Sequence, residues 1–244
     1  MLTYILLALG AISLTFFLLF RTKEGGIIPA ALKTLTSLIF VAVAVSGVVN
    51  NYIVTGYGSQ TISKLTFSGL VILGLVSGLI GDLTLDLKVT YQTLNIHHSD
   101  IYTFFGMTAF AVGHIFYIIA VALFFDFSAW TILIAAFVTA AIFAVSIFLL
   151  KMKFMKFLIP AVLYTFLLTL FLSGTIAAGI MTGFTVALLL LAIGSGAFLL
   201  SDLVLSMTYF NGSESRVLII INHVLYYAAQ FLIALSVYYI GMTL

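Results

Sequence analysis

The chain has 244 residues, of which 64% are hydrophobic and only 7% charged, with a formal net charge of +2 and a mean hydropathy of +1.33. Soluble domains carry about 25% charged residues, so a soluble globular fold is excluded, and so small a net charge gives no reason to expect nucleic acid as a partner. With no cysteine there are no disulfides.

The apolar runs are each long enough for a membrane-crossing helix, which takes about 20 residues. Unpaired backbone groups are not tolerated in lipid, and the alternation of a barrel strand is missing. The predicted fold class is therefore all-α: a polytopic integral membrane helix bundle, a single transmembrane domain over 1–244. Its eight spans are expected over 2–20, 30–50, 65–86, 102–124, 128–150, 157–175, 184–207 and 217–242. The first is read as a retained span, because no basic residue precedes it and Arg21 and Lys23 follow it, the reverse of a signal peptide.

Orientation follows from the nine basic residues. Arg21, Lys23, Lys33, Lys88, Lys151, Lys153, Lys156 and Arg216 flank the odd-numbered loops, and Lys64 alone lies by an even-numbered one. Basic loops stay cytoplasmic, which places both termini outside. It also puts Tyr52, Tyr57, Trp130 and Tyr239 at the outer interface, where amphipathic aromatics collect.

The intramembrane polarity gathers in the cytoplasmic half. Asp82, in GLIGDLTLDL, and Asp202, in GAFLLSDLVLSM, each lie about five residues before the expected cytoplasmic end of their span. At about 1.5 Å per residue both sit roughly 8 Å inside the boundary. A carboxylate in hydrocarbon costs several kcal/mol unless it is compensated, and such residues are functional by default. Ser201 directly precedes the second acid. Span 8 opens with NHVLYYAAQ, whose His223, Tyr226, Tyr227 and Gln230 share one helical face. In span 4, Phe110, His114 and Tyr117 do the same. Lys33 enters at the basic end of span 2, where a lysine either snorkels to the interface or meets the acids. Asp86 is expected at the interface. His97, His98 and Asp100 are read as a loop and cap, and Asp126 and Glu214 as loop residues without signal. The stripe Gly74, Gly78, Asp82, Asp86 is read first as a close-packing face.

GDL followed by HIFY in spans 3 and 4 echoes SDL followed by HVLY in spans 7 and 8, although Asp82 to His114 is 32 residues and Asp202 to His223 is 21. A 4+4 parallel internal repeat would account for the echo and bring the two aspartates face to face. No HxxxH or HExxH spacing is present, and no metal or other cofactor is expected.

GLVSGLIGDL, FGMTAFAVGHIFY, GAFLLSDLVL and HVLYYAAQFLIAL resemble the blocks of the YhhN-like family, which includes the mammalian lysoplasmalogenases. Members usually show Lys-Pro at the start of span 2, whereas here Thr34 follows Lys33. The resemblance implies hydrolysis of the vinyl ether bond of lysoplasmalogen, a 1-alkenyl lysophospholipid, to a fatty aldehyde and a glycerophospho-headgroup. It implies that Asp82 and Asp202 are catalytic, matches His114, Tyr117, Tyr226, Tyr227 and Gln230 to family blocks, and makes membrane lipids and a lysophospholipid the partners. The chemistry expected is an aspartate dyad sharing one proton, one member acting as acid and the other as carboxylate. His223, Tyr227 and Gln230 would hold the dyad or a water, Lys33 would meet the lipid phosphate, and the lipid chain would lie in the outer half. The multi-pass membrane is either a bacterial cytoplasmic membrane or the endoplasmic reticulum, and the oligomeric state is open. A proton-coupled transporter and a non-catalytic lipid-binding protein are the alternatives.

Overall fold

The computed structural model describes residues 1–21, 26–55, 61–92, 96–125, 127–212 and 215–242. Lys23, Tyr57, Asp126 and Glu214 lie outside the described residues, as do the side chains of His97 and His98. Eight helices follow in order: α1 (Leu2–Phe20), α2 (Ile27–Thr55), α3 (Thr61–Gln92), α4 (Ile96–Phe124), α5 (Trp130–Ala144), α6 (Leu158–Thr182), α7 (Val186–Phe210) and α8 (Arg216–Ile240). All eight, α5 together with the π-helical turn that extends it to Leu149, are long and apolar enough to cross a membrane, and the described residues contain no strand. The all-helical eight-span fold is as expected.

The helix ends are less so. α3 runs on six residues past 86, α4 begins at Ile96 inside the stretch read as a loop, and α6 extends to Thr182. The polar residues there do not stop a helix, because they can project beyond the apolar core. Span 5 is not one regular helix: after Ala144 it becomes a π-helical turn, Val145–Leu149. The chain then turns back through Lys151 and Met155, both at positive φ (53° and 45°). Met152 and Phe154 tuck in against Phe143 and Ala161, and Lys153 N–H donates to the Phe210 carbonyl at 3.1 Å.

The pattern of neighbours is that of a four-plus-four repeat. α1 packs on α2, α2 on α3 and α3 on α4, as α5 packs on α6, α6 on α7 and α7 on α8. The crossing contacts, α2 with α8 and α4 with α6, exchange when the halves are swapped. The halves differ in that α8 also meets α1 and α3. Hydroxyl pairs stitch matching seams: Ser13 to Thr36 at 2.8 Å between α1 and α2, and Thr139 to Thr169 at 2.8 Å between α5 and α6. Such pairs satisfy polar groups that lipid cannot. The apolar surface faces outwards, with Ile132, Leu133 and Phe137 of α5 exposed for lipid to cover.

The small-residue stripe of α3 serves packing. A Cβ at Gly74 would lie 2.2 Å from the Tyr117 ring, and one at Gly78 would lie 2.5 Å from Gln230 Nε2. α4 answers with Gly113, whose added Cβ would stand 2.9 Å from the backbone oxygen of Gly74. Backbone cannot swing aside as a side chain can, so Gly113→Ala is expected to destabilise the bundle by about 1–3 kcal/mol. Gly69→Ala, with nothing within 4 Å of its added Cβ, should be neutral. Thermal unfolding midpoints in detergent check both, and equal midpoints for the two variants would contradict this packing.

Candidate functional site

Asp82 and Asp202 open onto one cavity of about 510 Å³ at the end of the bundle where the basic residues lie. The two carboxylates are not bonded to one another. Each is compensated separately, and by different chemistry.

Asp82 is 3% exposed, and α3, α2 and α8 surround it. Its Oδ2 accepts hydrogen bonds from Ser37 Oγ at 2.6 Å and from the Tyr226 hydroxyl at 2.7 Å. Its Oδ1 lies 3.4 Å from Lys33 Nζ. Lys33 also donates to the Asp82 carbonyl at 3.4 Å and to Asp86 Oδ1 at 3.3 Å. Arg21 Nη1 reaches the same Asp86 oxygen at 3.7 Å. The result is an alternating row, Arg21, Asp86, Lys33, Asp82, in which every charge has an opposite neighbour. A buried charge survives only when paired and hydrogen-bonded in this way.

Two sequence-based expectations are corrected by that row. Lys33 is 5% exposed, so it neither snorkels nor stands free for a lipid phosphate; two aspartates occupy it. Asp86 is 7% exposed and paired, not interfacial. The reason is the helix end: α3 continues to Gln92, which carries the boundary past Asp86.

Among the described residues, no cation pairs with Asp202. Its Oδ2 accepts a hydrogen bond from the Tyr164 hydroxyl of α6, its only hydrogen-bond partner among the described residues. Beside it Ser201, fully buried, takes Asn222 Nδ2 on its Oγ at 3.0 Å and on its carbonyl at 2.9 Å, which ties α7 to α8.

The α8 face sorts into layers. Tyr226 and His223 line the cavity with Lys33, Asp82, Ser201 and Asp202. Behind them runs a relay: the Tyr117 hydroxyl donates to Gln230 Oε1 at 3.0 Å, Gln230 Nε2 to the Tyr226 hydroxyl at 3.2 Å, and that hydroxyl to Asp82. Each bond polarises the next, which strengthens the donor that reaches the carboxylate. Tyr227 stands one step back, 3.1 Å from both Ser37 Oγ and the Lys33 carbonyl. It is thus Tyr226, not Tyr227, that touches an acid. His223 bonds the Ile219 carbonyl through Nδ1 at 2.7 Å and packs on Phe17, ring centres 4.9 Å apart. His114 bonds the Phe110 carbonyl through Nδ1 at 2.9 Å. It sits off the cavity wall, boxed by the rings of Tyr117, Tyr164, Phe171 and Phe198, and its Nε2 is buried without a partner.

The apolar lining comes from Phe110, Ile142, Phe143, Phe154 and Leu168. It therefore extends towards α5 and the turned-in 152–154 segment, not into the opposite half of the bundle where the lipid chain was expected.

Ser37, Tyr164, Arg21 and Asn222 were missed by the sequence reading. A signal for Tyr164 exists: IPAALKT at 28–34 matches IPAVLYT at 159–165. Lys33 and Tyr164 each stand four residues after the proline near the start of α2 or α6, and each meets the aspartate of the next helix. His114 and His223, each three residues before a tyrosine, likewise make the same bond to the carbonyl four residues back. These correspondences extend the four-plus-four pattern from helices to side chains.

No curated protein and no solved structure matches the chain. The family model of the YhhN family matches residues 28–237, a stretch that holds α2 to α7, nearly all of α8, and both aspartates with their partners. The chain belongs to the YhhN family.

Proposed function

We propose that the protein is an intramembrane hydrolase that opens the vinyl ether bond of a lysoplasmalogen, releasing a fatty aldehyde and a glycerophospho-headgroup. The observation that carries this reading is the pair of unlike carboxylates on one cavity: Asp82 ion-paired to Lys33, Asp202 bonded among the described residues to a phenol alone. Acid–base chemistry needs two carboxyl groups in different environments, here beside an apolar wall fit for an alkenyl chain.

The division of labour follows from the partners. Asp202, which meets Tyr164 and no cation among the described residues, is the general acid and gives its proton to the β-carbon of the vinyl ether. The electron pair of the double bond forms that C–H bond and leaves an oxocarbenium ion. Asp82, ion-paired to Lys33, faces this positive charge as carboxylates do in glycoside hydrolysis. Water adds to the oxocarbenium carbon and loses a proton to Asp82, giving a hemiacetal. In the collapse Asp202 takes the hemiacetal hydroxyl proton, the C–O bond to glycerol breaks, and Asp82 returns its proton to the leaving oxygen. Both carboxyl groups end as they began. The basic end of the bundle faces the cytoplasm on this reading, as basic loops do, and both termini lie outside.

Purified protein in detergent, with no gradient, is expected to release aldehyde from 1-alkenyl lysophospholipid, measured by mass spectrometry. Asp202→Asn and Asp82→Asn are each expected to lower kcat by about 100-fold or more while the protein still elutes as a folded species. Substantial turnover in either variant removes that residue from the chemistry, and flux across sealed vesicles without aldehyde would favour transport instead.

Tyr164 is a positioning residue for Asp202. Tyr164→Phe is expected to reduce kcat by roughly 10-fold, in keeping with loss of one hydrogen bond to an ionisable group. KM should change little and the pH–rate profile should shift. An unaltered profile with lowered thermal stability would reduce Tyr164 to a packing role.

A further inference from the structure

Three cations line the cavity: Arg21, Lys33 and Lys88. Lys33 is engaged by Asp82 and Asp86. The other two keep donor capacity in hand. Arg21 Nη1 lies 3.7 Å from Asp86 Oδ1, and its Nε is buried with no hydrogen-bond partner among the described residues. Lys88 forms no ion pair among the described residues; its ammonium rests over the ring of Tyr209, 3.2 Å from the centroid. That contact spans a gap, because Lys88 belongs to α3 and Tyr209 to α7, two helices that do not pack extensively on each other. Both cations are on or beside helix ends at the basic end of the bundle, Arg21 directly after α1 and Lys88 in the last turns of α3, whereas Asp82 lies deeper.

A guanidinium N–H without a hydrogen-bond partner and an ammonium over an aromatic face and without an ion pair among the described residues, on the wall of one cavity, are donors suited to an anion. Arginine matches the oxygens of a phosphate with paired donors, and lysine supplies a point charge. An aromatic face gives up its cation readily, since its attraction is weaker than that of an ionised partner. We propose that Arg21 and Lys88 form an anion subsite at the mouth of the cavity and bind the phosphate ester of the lipid headgroup. The identity of that lipid as a lysophospholipid rests on the hydrolase reading above. With the phosphate held there, the alkenyl end of the molecule points inward to the carboxylates, and its chain takes the apolar wall towards α5. Lys33 thereby loses the phosphate-binding role and keeps only that of partner to the acids.

The test is binding, so that it does not depend on turnover. The probes are a 1-O-alkyl lysophosphatidylethanolamine, which has no vinyl ether to cleave, and the 1-O-alkylglycerol of the same chain length. Their affinities for detergent-purified protein are measured by titration calorimetry. The wild type should prefer the phosphate-bearing lipid, and Lys88→Met should weaken that lipid by about 10-fold or more while leaving the alkylglycerol unchanged. Lys88→Arg should retain the preference. Arg21→Met should act in the same direction; Lys88 decides the matter, because removing Arg21 also takes a partner from Asp86.

Equal affinity of the wild type for the two probes, or a Lys88→Met variant as tight as wild type, overturns the proposal. So does binding of inorganic phosphate that depends on Lys88 while lysophospholipid binding does not, which would mark a site for the free ion. Lys88-dependent binding of the ether lipid by a protein that releases no aldehyde would uphold the subsite and sink the hydrolase reading.

Discussion

A charge placed in hydrocarbon has to be cancelled where it stands, and the basic half of this bundle is arranged around that requirement. Lys33 sits between Asp82 and Asp86, each within about one hydrogen-bond length, and Arg21 closes the outer end of the row. The row joins α2 to α3 and anchors the residue that follows α1. Removing one member would strand its neighbour, which is far more disruptive than never having built the pair. The same requirement explains why three hydroxyl-bearing side chains, Ser37, Tyr226 and Tyr227, converge on this spot from two helices. Helix packing is therefore subordinate to charge here: Gly78 on α3 makes room for Gln230, and Gln230 in turn holds the tyrosine that reaches Asp82.

Asp202 meets a phenol and, among the described residues, no cation, and in the proposed function that contrast with Asp82 gives the cavity its chemical direction. A carboxyl group bonded to a neutral phenol can hold or release a proton without breaking an ion pair. Asp82 instead shares its oxygens among a lysine and two hydroxyl donors. Two acids sharing one hydrogen bond, the arrangement anticipated from matched depth, would have left their roles to fluctuate. Separate partners instead set the two groups in unlike surroundings on one cavity, which is what the proposed division of roles draws on.

The architecture was legible because the bilayer allows only one reading of long apolar runs, and eight such runs became eight helices. Helix ends were not, since residues such as Lys88 and Asp100 sit on helices that continue past the apolar core. That misjudgement had a consequence at Asp86, whose burial follows from the extra turns of α3. The functional face of α8 was legible from its spacing, yet periodicity sorts faces and not partners. Tyr226 and Tyr227 are adjacent in sequence, and one reaches Asp82 while the other reaches Ser37 and the Lys33 carbonyl. Lys33 finds Asp82 across 49 residues, a distance at which pattern says nothing. Tyr164 was passed over because a tyrosine in an apolar run reads as packing.

The internal match of IPAALKT with IPAVLYT shows how such a site can arise. A repeat gives two copies of one scaffold, a proline-started helix that delivers a side chain to the aspartate of the next helix. Had both copies delivered lysine, the two aspartates would both be ion-paired, with no group free to carry a proton. Had both delivered tyrosine, no cation would hold either anion, and the buried pair would repel. A single difference at the fourth residue after the proline, lysine in α2 and tyrosine in α6, separates the two environments. Neighbouring helices then reinforce the separation, since α8 reaches α3 closely enough to bring Tyr226 to Asp82, whereas among the described residues Asp202 bonds to Tyr164 alone. The symmetry of the fold places two carboxylates on one cavity, and its breaking at one position per repeat makes them chemically distinct.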